Sequence, residues 1–297
     1  MSERPAGSRN PLSDPRVRGG AGVTVLFLVV QLLALGVAPR LLGAGVSYGD
    51  GGDALVPLVI GLVVGTLLSL AVVRFGTSER VVRGLMLVSL GTAQWFAFAA
   101  FLGAVPGVVA AAVGTLLAWR VPRPVVRNAA AVIGVAGGAG LFGASLAPVY
   151  AAAALVVAAG YDAYAVYGSG FMTDIADAGA KLRVPSMFVV PTEDGYDDSR
   201  LRVGGSGAPA ATVLGAGDAL FPAMLSASLA VHTVGPAVAV GQVSVSSAAL
   251  ASVLGSLVGV VALQVFVHRR AGVHAGLPFV NAGALLGWGG WLLVTAI

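Results

Sequence analysis

The hydrophobic positions of this chain form long continuous runs, with few polar residues to mark one face. A helix that crosses a bilayer needs about 20 mostly apolar residues. Because every face of these segments is apolar, they predict membrane-spanning helices and not the alternating strands of a β-barrel. Nine runs are found, at about residues 22–39, 54–73, 84–103, 105–119, 125–143, 146–167, 212–234, 246–267 and 275–296.

Composition strengthens this interpretation and excludes a water-soluble enzyme. Of 297 residues, 57% are apolar and only 10% are charged, whereas a soluble domain has roughly 25% charged residues. The chain has no cysteine and only three histidines, so disulfides, thiolate metal sites and cysteine nucleophiles are excluded. We therefore expect an all-α polytopic membrane protein.

The basic residues between the runs predict how the chain is oriented. With nine spans, 16 of the 17 Lys and Arg residues fall on one side of the membrane, and only Arg40 falls on the other. By the positive-inside rule that side is the cytoplasm. We expect a multi-pass protein of the plasma membrane with its N-terminus inside and its C-terminus outside. Because the basic residues form short clusters between spans, no nucleic-acid partner is expected.

The boundaries of the runs predict a single domain over residues 1–297. A cytoplasmic tail covers 1–21, spans one to six cover 22–167, a cytoplasmic loop covers 168–211, and spans seven to nine cover 212–297. The first run is expected to be a retained span and not a cleaved signal peptide, because it continues through Pro39 without a convincing cleavage site.

Within the loop, the apolar segment Val184–Pro191 contains two prolines, Pro185 and Pro191. It predicts either a short strand or a loop segment on the membrane surface.

Two kinds of local pattern predict contacts between helices. Small residues spaced four apart allow helices to pack closely, and isolated polar residues in a span usually form interhelical hydrogen bonds. The small pairs are Gly61/Gly65, Gly255/Gly259 and Gly283/Gly287, and the polar residues are Gln94, His232, Gln264 and Asn281.

Two of the thirteen acids, Asp162 and Asp218, lie inside predicted spans. A charged Asp at the bilayer centre costs roughly 2.5–3.5 kcal/mol on insertion scales, so a functional role is expected. Span six runs inward and places Asp162 about 24 Å below Leu146, whereas span seven runs outward and places Asp218 about 9 Å beyond Thr212. Both carboxyls are therefore expected near the cytoplasmic end, facing each other on neighbouring helices.

Paired carboxyls at that depth have a chemical use. Two close carboxyls in a low-dielectric site cannot both ionise at small cost, so they share a proton. The ionised one can take a proton from water while the protonated one polarises a substrate carbonyl. Such hydrolysis needs no cofactor, and no metal site is predicted. The same acids would also serve an ion-coupled or proton-coupled transporter or a channel, and the residues alone leave that alternative open.

The residues around both acids resemble the motifs of the presenilin and signal peptide peptidase family of GxGD intramembrane aspartyl proteases. Tyr161-Asp162 matches a Tyr-Asp in span six, and Gly215-Ala216-Gly217-Asp218 matches a Gly-x-Gly-Asp in span seven. The third motif, Pro-Ala-Leu, corresponds to Ala275-Gly276-Leu277-Pro278, with Ala in place of the first Pro. The resemblance covers all nine spans and the loop. Within the family, the chain most resembles microbial, archaeal-type presenilin homologues. Prepilin peptidases share the Gly-x-Gly-Asp but have a Lys shortly after it, where this chain has Ala219-Leu220.

This resemblance implies an aspartic endopeptidase with a presenilin-like fold of nine transmembrane helices. Its substrates would be transmembrane helices of single-span proteins or signal-peptide remnants in the bilayer, with the N-terminus outside. No required protein partner is indicated. Asp162 and Asp218 would be the catalytic pair, and the glycines of the second motif would let another backbone approach. The residues expected to bind substrate or support the site are Tyr161, Gly215, Gly217, Leu277 and Pro278.

Members of this family unwind their substrate and pair it as a strand beside the active site. The resemblance therefore implies that Val184–Val190 and Thr212–Leu214 supply this pairing.

Overall fold

Nine α-helices follow the nine predicted runs in the described part of the chain. The computed structural model describes residues 14–49, 52–75, 79–169, 187–193, 196, 210–240, 243–269 and 274–296. The helices are α1 (Pro15–Gly43), α2 (Leu55–Phe75), α3 (Glu79–Leu102), α4 (Ala104–Arg120), α5 (Pro124–Ser145), α6 (Pro148–Ala163), α7 (Ala216–His232), α8 (Ser247–Arg269) and α9 (Leu277–Thr295).

Six of these helices are long and apolar enough to cross a membrane, namely α1, α3, α5, α6 with the turn that follows it, α8 and α9. Shorter apolar helical stretches occupy Leu55–Gly65 and Ala104–Arg120. Large apolar side chains such as Val109 and Val258 are exposed on the outside of the bundle, as expected for a surface covered by lipid tails. The prediction of an all-α polytopic membrane protein is confirmed.

The centre of the bundle is formed by α1, α5 and α7. Nine consecutive residues of α7, 221–229, are buried, which is typical of a helix enclosed on all sides. Glycines allow the three helices to approach closely. A Cβ atom on Gly140 of α5 would lie 2.5 Å from Val37 of α1, and one on Gly143 would lie 2.5 Å from Ala227 of α7.

The small-residue pairs have two different outcomes. The prediction is confirmed between α8 and α9, where a Cβ on Gly255 or Gly283 would collide with the backbone of the other helix. For Gly61 and Gly65 of α2 no described atom lies within 4 Å of an added Cβ, so there it stays a prediction.

The isolated polar residues form the expected interhelical hydrogen bonds. Each connects two helices through a backbone carbonyl group. The bonds run from Gln94 Nε2 to Ala130 O (3.1 Å), His232 Nε2 to Ala144 O (3.2 Å), Gln264 Nε2 to Gly20 O (3.0 Å) and Asn281 Nδ2 to Leu155 O (2.9 Å).

Two antiparallel strand pairs interrupt the helical pattern. Strand β1 (Met187–Pro191) pairs with β2 (Ala211–Gly215), and β3 (Ala237–Val240) pairs with β4 (Val243–Ser246). Of the predicted segment Val184–Pro191, the part from residue 187 onward is the strand β1, and residues 184–186 lie outside the described residues.

Span seven was expected to begin at Thr212, but residues 211–215 are the strand β2 and the helix begins at Ala216. The physical reason is local, because β-branched Thr212 and Val213 favour an extended chain and Gly215 and Gly217 weaken the helix. The boundaries of other spans also shift. The first helix begins at Pro15, not at residue 22, and α6 ends in a π-helical turn, Tyr164–Ser169.

Candidate active site

The structure brings the two intramembrane acids together at facing helix ends. Asp162 is the next-to-last residue of α6, and Asp218 is the third residue of α7. The Asp162 side chain is buried, whereas Asp218 is half-buried. Both carboxyls lie beside the start of α9, because Leu277 N bonds Asp162 Oδ2 at 3.1 Å and a Cβ on Gly276 would lie 2.8 Å from Asp218 Oδ2. The two acids therefore belong to one site.

The N-terminus of α9 holds the carboxyl group of Asp162. The backbone N–H of Leu277 donates a hydrogen bond to Asp162 Oδ2 (3.1 Å), and the N–H of Gly276 also faces this carboxyl. The first N–H groups of a helix have no partner inside the helix and favour a negative charge. Pro278 is the second residue of α9, where its missing N–H removes no helical bond.

The carboxyl group of Asp218 is held by the start of its own helix. Gly215 is the N-cap of α7, and its backbone N–H bonds the Asp218 carboxyl. An acid at the third helical position that reaches back to the N-cap amide is one half of a capping box. The spacing in Gly215-Ala216-Gly217-Asp218 therefore orients this carboxyl as well as placing it in the helix.

Gly276 contacts the site, although the sequence analysis assigned it no role. A Cβ at this position would lie 2.8 Å from Asp218 Oδ2 and 3.0 Å from its Cγ, closer than a side chain can pack. The start of α9 thus contacts both acids, because the N–H of Leu277 bonds Asp162 and Gly276 leaves room for the Asp218 carboxyl. In the sequence, the only mark of Gly276 is its place directly before Leu277, which does not show what it contacts.

The other predicted site residues differ in how closely they approach the acids. Leu277 is buried, and Pro278, the next residue, is half-buried. Tyr161, which directly precedes Asp162, is also half-buried. Among the described residues no second backbone packs against Gly215 or Gly217, so their predicted role of letting another backbone approach stays a prediction. A Cβ on Gly215 would meet the Asp218 carboxyl at 3.1 Å, and one on Gly217 would have no described atom within 4 Å.

Strands β1 and β2 lie directly beside the acids. Gly215 is both the last residue of β2, where it pairs with Met187, and the N-cap of α7. Sheet and helix therefore meet three residues before Asp218. Any shift of β2 along its own axis would move the start of α7 with it.

The hydrogen-bond alternation of β1 and β2 shows which backbone groups face outward. Thr192 N donates to Ala210 O (3.0 Å) just beyond the register pair Pro191–Ala211. Because bonded pairs alternate in an antiparallel ladder, Val190–Thr212 and Phe188–Leu214 are the pairs that exchange bonds. On β2 the backbone groups of Ala211, Val213 and Gly215 consequently point away from β1. No other strand pairs with this edge of β2 among the described residues.

The chemistry available at this site is that of two carboxyl groups. Among the described residues there is no cluster of His, Cys, Asp and Glu that could hold a metal ion. Two facing carboxyl groups, fixed by backbone amides within a helical membrane bundle, define the class of intramembrane aspartyl proteases.

Comparisons with known proteins agree. A family model described as signal-peptide peptidase, presenilin aspartyl protease, matches residues 24–296, and the chain belongs to this family. One solved structure of a presenilin family intramembrane aspartate protease, in space group C222, matches with a TM-score of 0.65 and 26% identity over 93% of this chain and 99% of that one. A second, in space group P2, has a TM-score of 0.63 and 24% identity over 92% and 97% of the two chains, which supports the fold alone. No curated protein matches.

The chain is therefore an intramembrane aspartyl protease, an aspartic endopeptidase embedded in the membrane, and its family acts on transmembrane substrates. This confirms the family that the three motifs indicated. It also decides between the two functions left open by the residues, in favour of the protease over the transporter or channel.

Proposed function

We propose that Asp162 and Asp218 hold a water molecule between their carboxyl groups and use it to cut a peptide bond within a substrate's transmembrane helix. One carboxylate accepts a proton from the water, whose oxygen attacks the carbonyl carbon, while the protonated carboxyl donates to the carbonyl oxygen. The resulting gem-diol collapses as the amide nitrogen is protonated and the C–N bond breaks. The observation that carries this proposal is that both carboxyls lie against the same two residues at the start of α9, Asp162 against Leu277 N and Asp218 against Gly276.

Each supporting residue has a physical role in this proposal. The amides of Leu277 and Gly276 fix the Asp162 carboxyl, and Pro278 begins the helix that supplies them. Gly215 orients Asp218 in the same way. Fixed donors contribute to catalysis because they need no reorganisation during the reaction.

Gly217 and Tyr161 are assigned to the substrate side. The open space at Gly217 leaves room for a substrate backbone next to Asp218. Tyr161 directly precedes Asp162 and is half-buried, and its place in the Tyr-Asp motif is the basis for this assignment.

The substrate is proposed to bind as a strand along the outer edge of β2. An extended peptide can add to an exposed strand edge through main-chain hydrogen bonds alone. The outward backbone groups of Ala211 and Val213, which pair with no further strand among the described residues, are the ones proposed to bond the substrate, whereas the N–H of Gly215 bonds Asp218. A helix must unwind to bind in this way, so substrates with helix-loosening residues near the cut are favoured.

The chain is proposed to be a single domain in the plasma membrane. Its N-terminus and the loop 168–211 would lie in the cytoplasm, and its C-terminus outside. The 16-to-one distribution of Lys and Arg supports this orientation. A strand beside the site has a polarity, so the preferred substrate is a single span with its N-terminus outside. Cleavage then falls in the cytoplasmic half of that span.

The catalytic assignment is tested with the variants Asp162→Asn and Asp218→Asn, each reconstituted in liposomes with a single-span substrate. Each should lose activity by at least about 10²-fold, because Asn cannot exchange the proton. Asp53→Asn, which changes an exposed acid between α1 and α2, is the matched control and should retain activity. Cleavage that survives either single change at the site would contradict the mechanism.

The orientation is tested separately, with one apolar span inserted in both directions by moving its flanking Arg residues. The N-outside version should be cut faster. Faster cutting of the N-inside version would reverse the proposed orientation without affecting the assignment of the two acids.

A further inference from the structure

One side chain of α5 bonds both backbone groups of a single residue in β1. Asn128 Nδ2 donates to Val189 O at 2.8 Å, and Val189 N donates to Asn128 Oδ1 at 2.9 Å. Asn128 is 8% exposed and Val189 is fully buried. A side-chain amide carries one acceptor and two donors, so Asn128 satisfies Val189 as a residue of a neighbouring strand would.

These two bonds occupy the edge of β1 that faces away from β2. Val189 lies opposite Val213 in the register, and the alternation of the ladder directs the N–H and C=O of Val189 outward. Asn128 bonds both of these groups. Two observations, the Thr192–Ala210 bond and the Asn128–Val189 pair, therefore agree on which backbone groups point outward.

The two outer edges of the sheet consequently differ. The β1 edge is closed at its central residue by a side chain from a helix in the bundle's centre. The β2 edge carries no further strand among the described residues. Burial of one face specifies the register of a strand pair, and the bidentate bond from a buried helix additionally fixes β1 at one residue.

We propose that Asn128 is a positioning residue that directs the substrate strand to β2. It closes the β1 edge and fixes the position of β1, and through the ladder also that of β2 and Asp218. This inference rests on the proposed strand addition to β2 and names the residue that selects the edge. Asn128 does not itself touch the reacting atoms.

A buried amide can also be purely structural, and the chain offers a matched control for that role. Gln94 is fully buried, and its Nε2 donates to Ala130 O on the same helix α5. Among the described residues, its hydrogen bond goes to α5 and not to either strand. Asn128→Leu and Gln94→Leu both replace a buried amide that bonds backbone with an apolar side chain, but only the first releases β1.

The experiment measures KM, kcat and the positions of the cut bonds for wild type, Asn128→Leu and Gln94→Leu, by mass spectrometry of products in liposomes. Asn128→Leu should raise KM by about tenfold. This is the order expected from losing two hydrogen bonds that hold β1, and through it the substrate edge of β2, in place. Its cuts should spread to bonds two residues away, because a strand keeps its faces only when it shifts in steps of two. Gln94→Leu should keep the wild-type KM and cut positions.

A second variant removes one of the two bonds from the strand side, in case Asn128→Leu fails to fold. Val189→Pro deletes the N–H that bonds Asn128 and removes no bond between β1 and β2. It should raise KM and spread the cuts in the same direction. Wild-type KM and cut positions in both variants, or equal changes in Gln94→Leu, would overturn the role of Asn128. Absence of Asp-dependent cleavage by the wild type would instead overturn the proposed function.

Discussion

The two strand pairs of this protein are alike in topology but differ in what holds them together. In the pair β1–β2, Phe188, Val189 and Leu214 are buried, and β1 contacts α1, α5 and α7. In the pair β3–β4, the described side chains of β3, Ala237 and Val238, are exposed. Residues 192–210 separate the first two strands, whereas two residues separate the second two.

An isolated two-stranded hairpin is marginally stable in water, so each pair needs another source of stability. A two-residue connection provides it locally for β3–β4. For β1–β2, tertiary contacts must provide it, because closing a longer loop costs more entropy. Strand β4 also contacts α7 and α8, but β3 is exposed, so the pair beside the acids is the one in which both strands depend on the helices around them.

The largest effect is expected from breaking the β1–β2 ladder. Thr212→Pro removes a backbone donor that bonds Val190 and distorts the strand that leads into α7. Because small misplacements of catalytic groups cost on the order of 10²-fold in rate, cleavage should fall by about that factor. The initial rate in liposomes measures it. A loss below about threefold would separate the sheet from catalysis.

A smaller effect is expected from pushing the sheet without breaking its bonds. Gly22 of α1 lies against β1, and a Cβ there would lie 2.8 Å from Val190 Cγ1. Gly22→Leu should lower activity by about tenfold, since overpacking costs about 1–3 kcal/mol. Gly61→Leu on α2, with no described atom within 4 Å of an added Cβ, is the control and should leave both activity and melting temperature unchanged. Equal losses in the two variants would point to a general effect of leucine in a span.

The smallest effect is expected in the second strand pair. Val238→Pro removes a backbone donor that bonds Val245, as Thr212→Pro does in the first pair, but at a residue that is 47% exposed. Strand β3 follows the end of α7 that is far from Asp218, so losing this bond should not move the acids. Cleavage should stay within about twofold of wild type, by the same initial-rate assay. A loss as large as that of Thr212→Pro would show that β3–β4 is coupled to the acids, and the contrast between the two pairs would fail.

The same contrast explains which parts of the fold the sequence predicted. The helices and the two acids were predictable because apolar runs and a charged residue within such a run are local signals. Strand β1 was predicted from an apolar segment between prolines, but its partner was expected to be the start of a span. That pairing joins residues 187–191 to 211–215, and no periodicity within either segment specifies the other.

Strands β3 and β4 were missed for a different reason. A local hairpin signal is present in the sequence, where Gly241-Gln242 separates Ala237–Val240 from Val243–Ser246. These residues lie next to the predicted runs 212–234 and 246–267, and no strand was predicted there. Asn128 and Gly276 were missed because their partners, Val189 and the two acids, are distant in sequence. Only the folded chain shows what an isolated Asn or Gly contacts.

The hydrogen bonds given to both acids come from main-chain N–H groups, those of Leu277, Gly276 and Gly215. Peptide groups are identical at every position, so such a site tolerates sequence drift wherever the backbone path is kept. Ala275, fully buried in place of the proline of the third motif, is one instance. A search for distant members of this family by side-chain identity in that segment would lose sensitivity there. A search for the backbone path into the last helix, with two acids beside it, would retain that sensitivity.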